Sequence, residues 1–123
     1  MKTILLVDDS NFTRRHISSM LDGKNYNVIE AADGESCMER VERDKPDCII
    51  LDLLMPKKTG TEVLKALKSA GSETPVIVMS ADIQDAVKNE CRELGARSFF
   101  NKPPIAADLL KSLDSLLATD SSQ

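Results

Sequence analysis

Five side chains carry most of the chemical capacity of this 123-residue sequence: the carboxylates of Asp8, Asp9 and Asp52, the hydroxyl of Ser80 and the ammonium of Lys102. Each follows a short run of β-type residues. Asp8-Asp9 comes after Thr3 to Val7 (TILLV), Asp52 after Cys48 to Leu51 (CIIL) and Ser80 after Val76 to Met79 (VIVM). Lys102 stands just beyond Arg97 to Phe100 (RSFF). Carboxylates held together repel, and in a dry site at least one takes up a proton. A divalent cation removes that conflict. An all-oxygen set of carboxylates, a carbonyl and water suits Mg2+, which wants octahedral geometry and keeps several waters. Mg2+ also accompanies phosphoryl transfer, where charge on the transferring oxygens must be neutralised. A lysine and a hydroxyl are groups that bind such oxygens.

Taken singly, each residue has a plainer reading. Asp8-Asp9-Ser10 can simply cap a helix, and Asp52 before Leu-Leu-Met-Pro can be a loop-entry residue. Ser80 can cap the next helix with Asp82, and Lys102 can be a surface lysine held extended by the following proline. Their joint appearance at four strand ends favours a site.

The elements that position them follow from periodicity. The runs at Thr3 to Val7, Cys48 to Leu51 and Val76 to Met79 are short and mostly apolar, as strands buried on both faces are. Asn27 to Ala31 (NVIEA) alternates and is expected nearer an edge; Arg97 to Phe100 is the fifth strand. Helical stripes fill the gaps: Ile17, Met20, Leu21; Cys37, Met38, Val41; Val63, Leu64, Leu67, Ala70; Ile83, Val87, Cys91, Leu94; and Ala106, Leu109, Leu110, Leu113, Leu116, Leu117. Gly23, Gly71 and Gly95 stand where helices end, and Asp33, Thr59 and Asp82 where they begin. Five β-α units in strict alternation predict an α/β fold, a doubly wound five-stranded parallel sheet with helices on both faces. Ligands of such sheets bind beyond the carboxyl ends of the strands, where the five side chains stand.

Composition narrows the function classes. The length fits one domain. Net charge is −4, from 16 basic and 20 acidic residues, so a nucleic-acid backbone is not the expected direct partner. No apolar run approaches the roughly 20 residues of a membrane span, and the N-terminal apolar stretch stops at Asp8, too soon for a signal peptide. Cys37, Cys48 and Cys91 are widely spaced and odd in number, which suggests small core residues in a reducing cytoplasm. A single histidine, His16, leaves little for histidine-based catalysis; a capping or solvated role is expected.

The motifs ILLVDDS at 4–10, IILDLLMPKKTG at 49–60, VIVMSA at 76–81 and FFNKPP at 99–104 together resemble the receiver domain of two-component response regulators. The match runs from about Lys2 to Leu117, so the expected domain is 1–118 with a polar tail at 119–123. The resemblance implies a flavodoxin-like (βα)5 fold with strand order 2-1-3-4-5. It implies Asp52 as phospho-acceptor, attacking a phosphohistidine of a sensor histidine kinase or phosphotransfer protein. It implies Mg2+ bound by Asp8, Asp9, Asp52 and the Leu54 carbonyl, Asp8 mainly through water. Lys102 and Ser80 would contact phosphoryl oxygens, Phe99 would be the switch aromatic, and Lys102-Pro103 would be cis. The output surface would be the fourth helix, fifth strand and fifth helix, here Ile83 to Leu94, Arg97 to Phe100 and Ala106 to Ala118, biased by the new charge. Alternation along the fifth strand puts Phe99 and Phe100 on opposite faces. Leu54 and Asp82 occupy the two positions that help set phosphoryl lifetime in this family; Leu54 is expected to hinder the in-line water and Asp82 to offset it. Lys57-Lys58 is a solvated loop pair or a kinase contact.

The expected function is therefore a single-domain, chemotaxis-type response regulator or phosphorelay intermediate, not an enzyme in its own right beyond assisting its phosphotransfer and autodephosphorylation. It is expected to be a cytoplasmic monomer or weak dimer that binds a downstream protein, without direct contact to membrane or nucleic acid. A receiver cut from a longer protein is the other reading of its length. The alternative function is a degenerate, phosphorylation-independent receiver acting as an interaction module, against which the intact set Asp8, Asp9, Asp52, Ser80 and Lys102 argues. A Mg2+-dependent phosphatase of related topology would want a second acid two residues after the nucleophile, where Leu54 stands.

Overall fold

The computed structural model describes residues 1–55, 58–81 and 84–117. Elements alternate throughout: β1 (Lys2–Val7), α1 (Asn11–Leu21), β2 (Tyr26–Ala31), α2 (Gly34–Asp44), β3 (Cys48–Asp52), α3 (Gly60–Ser69), β4 (Val76–Ser80), α4 (Asp85–Glu93), β5 (Ala96–Asn101) and α5 (Ala106–Leu117). The strands form one parallel sheet of order β2-β1-β3-β4-β5. This is the flavodoxin-like arrangement expected from the sequence. Each strand is one or two residues longer than its sequence run, because ladder bonding continues into the flanking residues.

Burial explains the apolar runs. Every residue of β3 and β4 is buried, as are the last four of β1. The edge strands β2 and β5 are only partly covered. The sheet separates two cores. On one face Leu5, Val7, Ile49, Leu51 and Val78 pack against Cys37 of α2, Val63, Leu64 and Leu67 of α3 and Cys91 of α4. On the other, Ile4, Leu6, Ile50, Ile77 and Met79 pack against Ile17 and Leu21 of α1 and Leu109 and Leu113 of α5. Period-two alternation assigns the strand residues, and the helical stripes supply their partners. Phe99 joins the first core and Phe100 the second, on opposite faces of β5.

Helix ends follow the capping chemistry, with two exceptions. Asp33 caps α2 by accepting from Ser36 N, and Thr59 caps α3 in a reciprocal capping box with Glu62. The start of α4 differs from expectation. Its N-cap is Gln84, without a side-chain cap bond, and Asp85 instead places an acid in the first turn, where the helix dipole favours it. The expected cap Asp82 and the stripe residue Ile83 lie outside the described residues, as do Pro56, Lys57, Ala118 and the 119–123 tail. The second exception is α2, which ends on Lys45 in the left-handed region (φ 46°), a position that carried no glycine signal. Among the described residues, no helix is long and apolar enough to cross a membrane.

Candidate functional site

Register brings the strand ends level. Val7 pairs with Leu51 and Asp52 with Met79, so Asp8 follows the end of β1 beside Asp52 at the end of β3. Both carboxylates are buried. Asp8 is pinned on several sides: its N–H donates to the Ala31 carbonyl (3.1 Å), and its Oδ1 accepts from Ser10 N (2.8 Å). Ser10 in turn caps α1 by accepting from Thr13 N, so the acidic pair is welded to the helix start. Asp9 is exposed. One carboxylate oxygen from each of Asp8, Asp9 and Asp52 lies within 4.8 Å of the others.

Asp52 Oδ1 accepts from the Leu54 N–H (3.2 Å) in the β3–α3 loop. Two backbone bonds shape that loop: Leu53 N to the Met79 carbonyl (3.0 Å) and Gly60 N to the Leu53 carbonyl (2.9 Å). Gly60 is needed there. A Cβ on it would come within 2.6 Å of both the Asp52 carbonyl oxygen and Leu53 Cα. The Leu54 side chain is 69% exposed at the rim of the site.

Lys102 reaches the cluster from beyond β5. Its backbone N–H donates to the Ser80 carbonyl (2.9 Å), and its bond to Pro103 is cis. Its Nζ donates to Asp52 Oδ2 (3.3 Å) and lies 2.9 Å from Asp8 Oδ2. The Asp8 oxygen is buried, with the Lys102 ammonium at 2.9 Å as its charge partner. Burial, then the neighbouring Asp8, push the Asp52 pKa up against the opposing pull of Lys102 and the Leu54 N–H. Burial works against the charge on Lys102, but Asp8 and Asp52 outweigh it and raise its pKa.

These residues fit a hard divalent cation. They are oxygen donors only, and one of them, Asp8 Oδ2, is buried with lone-pair capacity left over. Ser80 is buried at the end of β4, on the same face as Val78 and Phe99 by strand alternation. The Phe99 ring is covered from α4 by Lys88 (5.9 Å to the centroid) and Arg92 (5.1 Å). The five sequence candidates thus converge on one edge of the sheet, and Phe99 stands one layer behind it. His16 is exposed and its ring stacks on Phe12 (centroids 6.3 Å apart).

Sequence reasoning passed over Arg14. Its guanidinium donates to the Asp8 carbonyl and to Asn11 Oδ1, and its Nε to Glu30 Oε1 (2.7 Å). A signal was present: Arg14 continues the buried Ile17–Leu21 stripe of α1 toward the N-terminus, so a charge falls on an inward position.

Residues 4–114 match the family model described as the response regulator receiver domain. Among curated proteins, the chain is 36% identical over 116 residues to response regulator MprA of Mycobacterium leprae, covering 93% of this chain and 50% of that protein. It is also 36% identical over 102 residues to the alkaline phosphatase synthesis transcriptional regulatory protein PhoP of Bacillus subtilis, covering 83% of this chain and 42% of that one. The chain spans about half the length of the curated relatives it matches. Among solved structures, chemotaxis protein CheY4 of Vibrio cholerae superposes with a TM-score of 0.88 at 33% identity, covering 95% of this chain and 99% of that one. The N-terminal domain of an uncharacterized protein (WS1339) from Wolinella succinogenes gives 0.92 at 30% identity, covering 99% and 98%.

Proposed function

The chain belongs to the response regulator receiver domain family, and from that membership we propose that Asp52 is its phospho-accepting residue. The Asp52 carboxylate attacks the phosphorus of a phosphohistidine on a sensor histidine kinase or phosphotransfer protein; an O–P bond forms, the P–N bond breaks, and the imidazole leaves. Lys102, already between Asp8 and Asp52, pairs with a phosphoryl oxygen, and the Ser80 hydroxyl hydrogen-bonds another. Asp8, Asp9, Asp52 and the Leu54 carbonyl would hold Mg2+, Asp8 mainly through water, and the ion would supply charge neutralisation for the transferring group. The observation that carries this reading is the meeting of Asp8, Asp9, Asp52 and Lys102 at one sheet edge.

Phosphorylation would then bias a two-state equilibrium of the α4-β5-α5 surface, with Phe99 reporting the state of the site across β5. The protein would be a signalling switch that assists its own phosphotransfer and autodephosphorylation. We place it in the cytoplasm as a monomer or weak dimer, with a protein as its downstream partner. Likeness over nearly the full CheY4 chain supports a stand-alone, chemotaxis-type or relay role; the doubled length of the curated relatives supports a receiver joined to an output domain. The mass of the native protein in its source cells separates these two. For the acceptor itself, the test is incubation with acetyl phosphate and Mg2+ followed by intact-mass measurement. One added phosphoryl group, absent from Asp52→Asn, is expected. No addition to the wild type overturns the proposal and leaves a phosphorylation-independent interaction module.

A further inference from the structure

Asp9 is the one exposed member of the acidic cluster, and among the described residues its side chain makes no hydrogen bond. Its position is therefore set by the backbone that carries it, which begins at the Asp8 carbonyl. That carbonyl accepts from the Arg14 guanidinium. The same guanidinium grips Asn11 Oδ1 on the far side of the turn, and its Nε is anchored to Glu30 near the end of β2. The Arg14 side chain is only 11% exposed. It thus ties together both ends of the β1–α1 turn and an edge strand, using the planar fork that only arginine offers. Its placement also works against α1 locally. A cation in the first turns of a helix opposes the dipole, and α1 has no acid in its first turn; Glu30 provides the counter-charge instead.

We infer that Arg14 is a positioning residue for the cation site: by fixing the peptide between Asp8 and Asp9, it holds the exposed Asp9 carboxylate where it shares an ion with Asp8 and Asp52. This rests on the acidic cluster being a Mg2+ site. Groups that orient ligands in this way typically change metal affinity 10–100-fold when removed.

The test is Mg2+ titration of the unphosphorylated full chain by calorimetry, with melting temperatures taken in EDTA. The variants are Arg14→Met, Arg14→Lys, Asp9→Asn and Ile17→Val. Arg14→Met is expected to weaken Mg2+ binding by about tenfold. Arg14→Lys keeps the charge but cannot span three acceptors, and is expected to weaken it by about threefold; it carries the test should the Met variant not fold. Ile17→Val loosens the same helix stripe without touching the turn, and should lower the melting temperature while keeping the wild-type affinity. Wild-type affinity in both Arg14 variants overturns the positioning role. So does an affinity loss in Ile17→Val equal to that in Arg14→Met, which would make Arg14 merely structural. Wild-type protein that takes up no Mg2+, like Asp9→Asn, instead overturns the cation site on which the inference stands.

Discussion

The ammonium of Lys102 donates to Oδ2 of Asp52 at 3.3 Å, although 50 residues of chain separate them. The backbone bond from Lys102 to the Ser80 carbonyl delivers the side chain there, so the contact depends on β4 and β5 being in register.

Removing that ammonium leaves Asp8 and Asp52 buried without their counter-charge. Lys102→Met is expected to destabilise the metal-free protein at pH 7 by about 2 kcal/mol. That is below the range for fully buried pairs, because the Lys102 side chain is 21% exposed and solvent screens it in part. Urea unfolding in EDTA at pH 7 and pH 5 checks it. The loss should shrink at the lower pH, as protonation relieves the carboxylate repulsion.

Asp52→Asn should act in the opposite direction. With its folded pKa raised, Asp52 binds a proton more readily in the folded than in the unfolded state, so stability falls as pH rises from about 3.8, its unperturbed value, through the raised one. The asparagine variant lacks this slope. At pH 7 in EDTA it should be more stable by on the order of 1 kcal/mol, a melting temperature higher by roughly 4 °C. Thermal melts across pH decide, and a lower midpoint for the variant contradicts the cluster.

Two glycines at helix starts should respond differently to alanine. At Gly60 the new methyl meets backbone on two sides at 2.6 Å, so the β3–α3 loop must shift; a destabilisation of about 3 kcal/mol is expected, with slower phosphorylation if Asp52 is the acceptor. At Gly34 the methyl meets Lys58 Cβ at 2.6 Å, an atom that moves only with its own backbone, so the chain at Lys58 must give way; a smaller loss of about 2 kcal/mol is expected. Denaturant melts of the pair give the comparison.

Leu54 bears on phosphoryl lifetime if Asp52 is the acceptor. Its exposed apolar side chain at the rim offers no hydrogen bond to an incoming water. Leu54→Asn is expected to lose phosphate several-fold faster. Phosphoprotein decay followed by intact mass measures this, and an equal or slower rate rejects the role.

The parts of this molecule legible in its sequence are those with a local cause. Apolar runs marked β1, β3 and β4 because both faces of those strands are buried, and Asp33 and Thr59 announced their helices because a cap bond spans three residues. Asp8, Asp9, Asp52, Ser80 and Lys102 could be gathered on paper because parallel sheets put all carboxyl ends on one edge. What was not legible depends on partners far away in the chain. Arg14 faces inward because Glu30, on another strand, meets it. Gln84 starts α4 without a cap bond, and Lys45 takes a left-handed conformation without a glycine. Both residues are exposed, so neither helix end belongs to the buried pattern that the sequence carries.

The three thiols give the fold built-in clocks. Cys37 of α2 and Cys91 of α4 pack in the core on one side of the sheet, and Cys48 of central β3 in the core on the other. Burial holds each thiol up, to about 12 for Cys37 and Cys48, so none reacts while covered. Alkylation then proceeds only as fast as each region opens. Cys48 should keep time with global unfolding, and Cys91, on the buried side of the short and half-exposed α4, with the smaller excursions of that helix alone. A shift in the Cys91 rate on acetyl phosphate treatment, with Cys48 unchanged, would record motion of α4 without any added label.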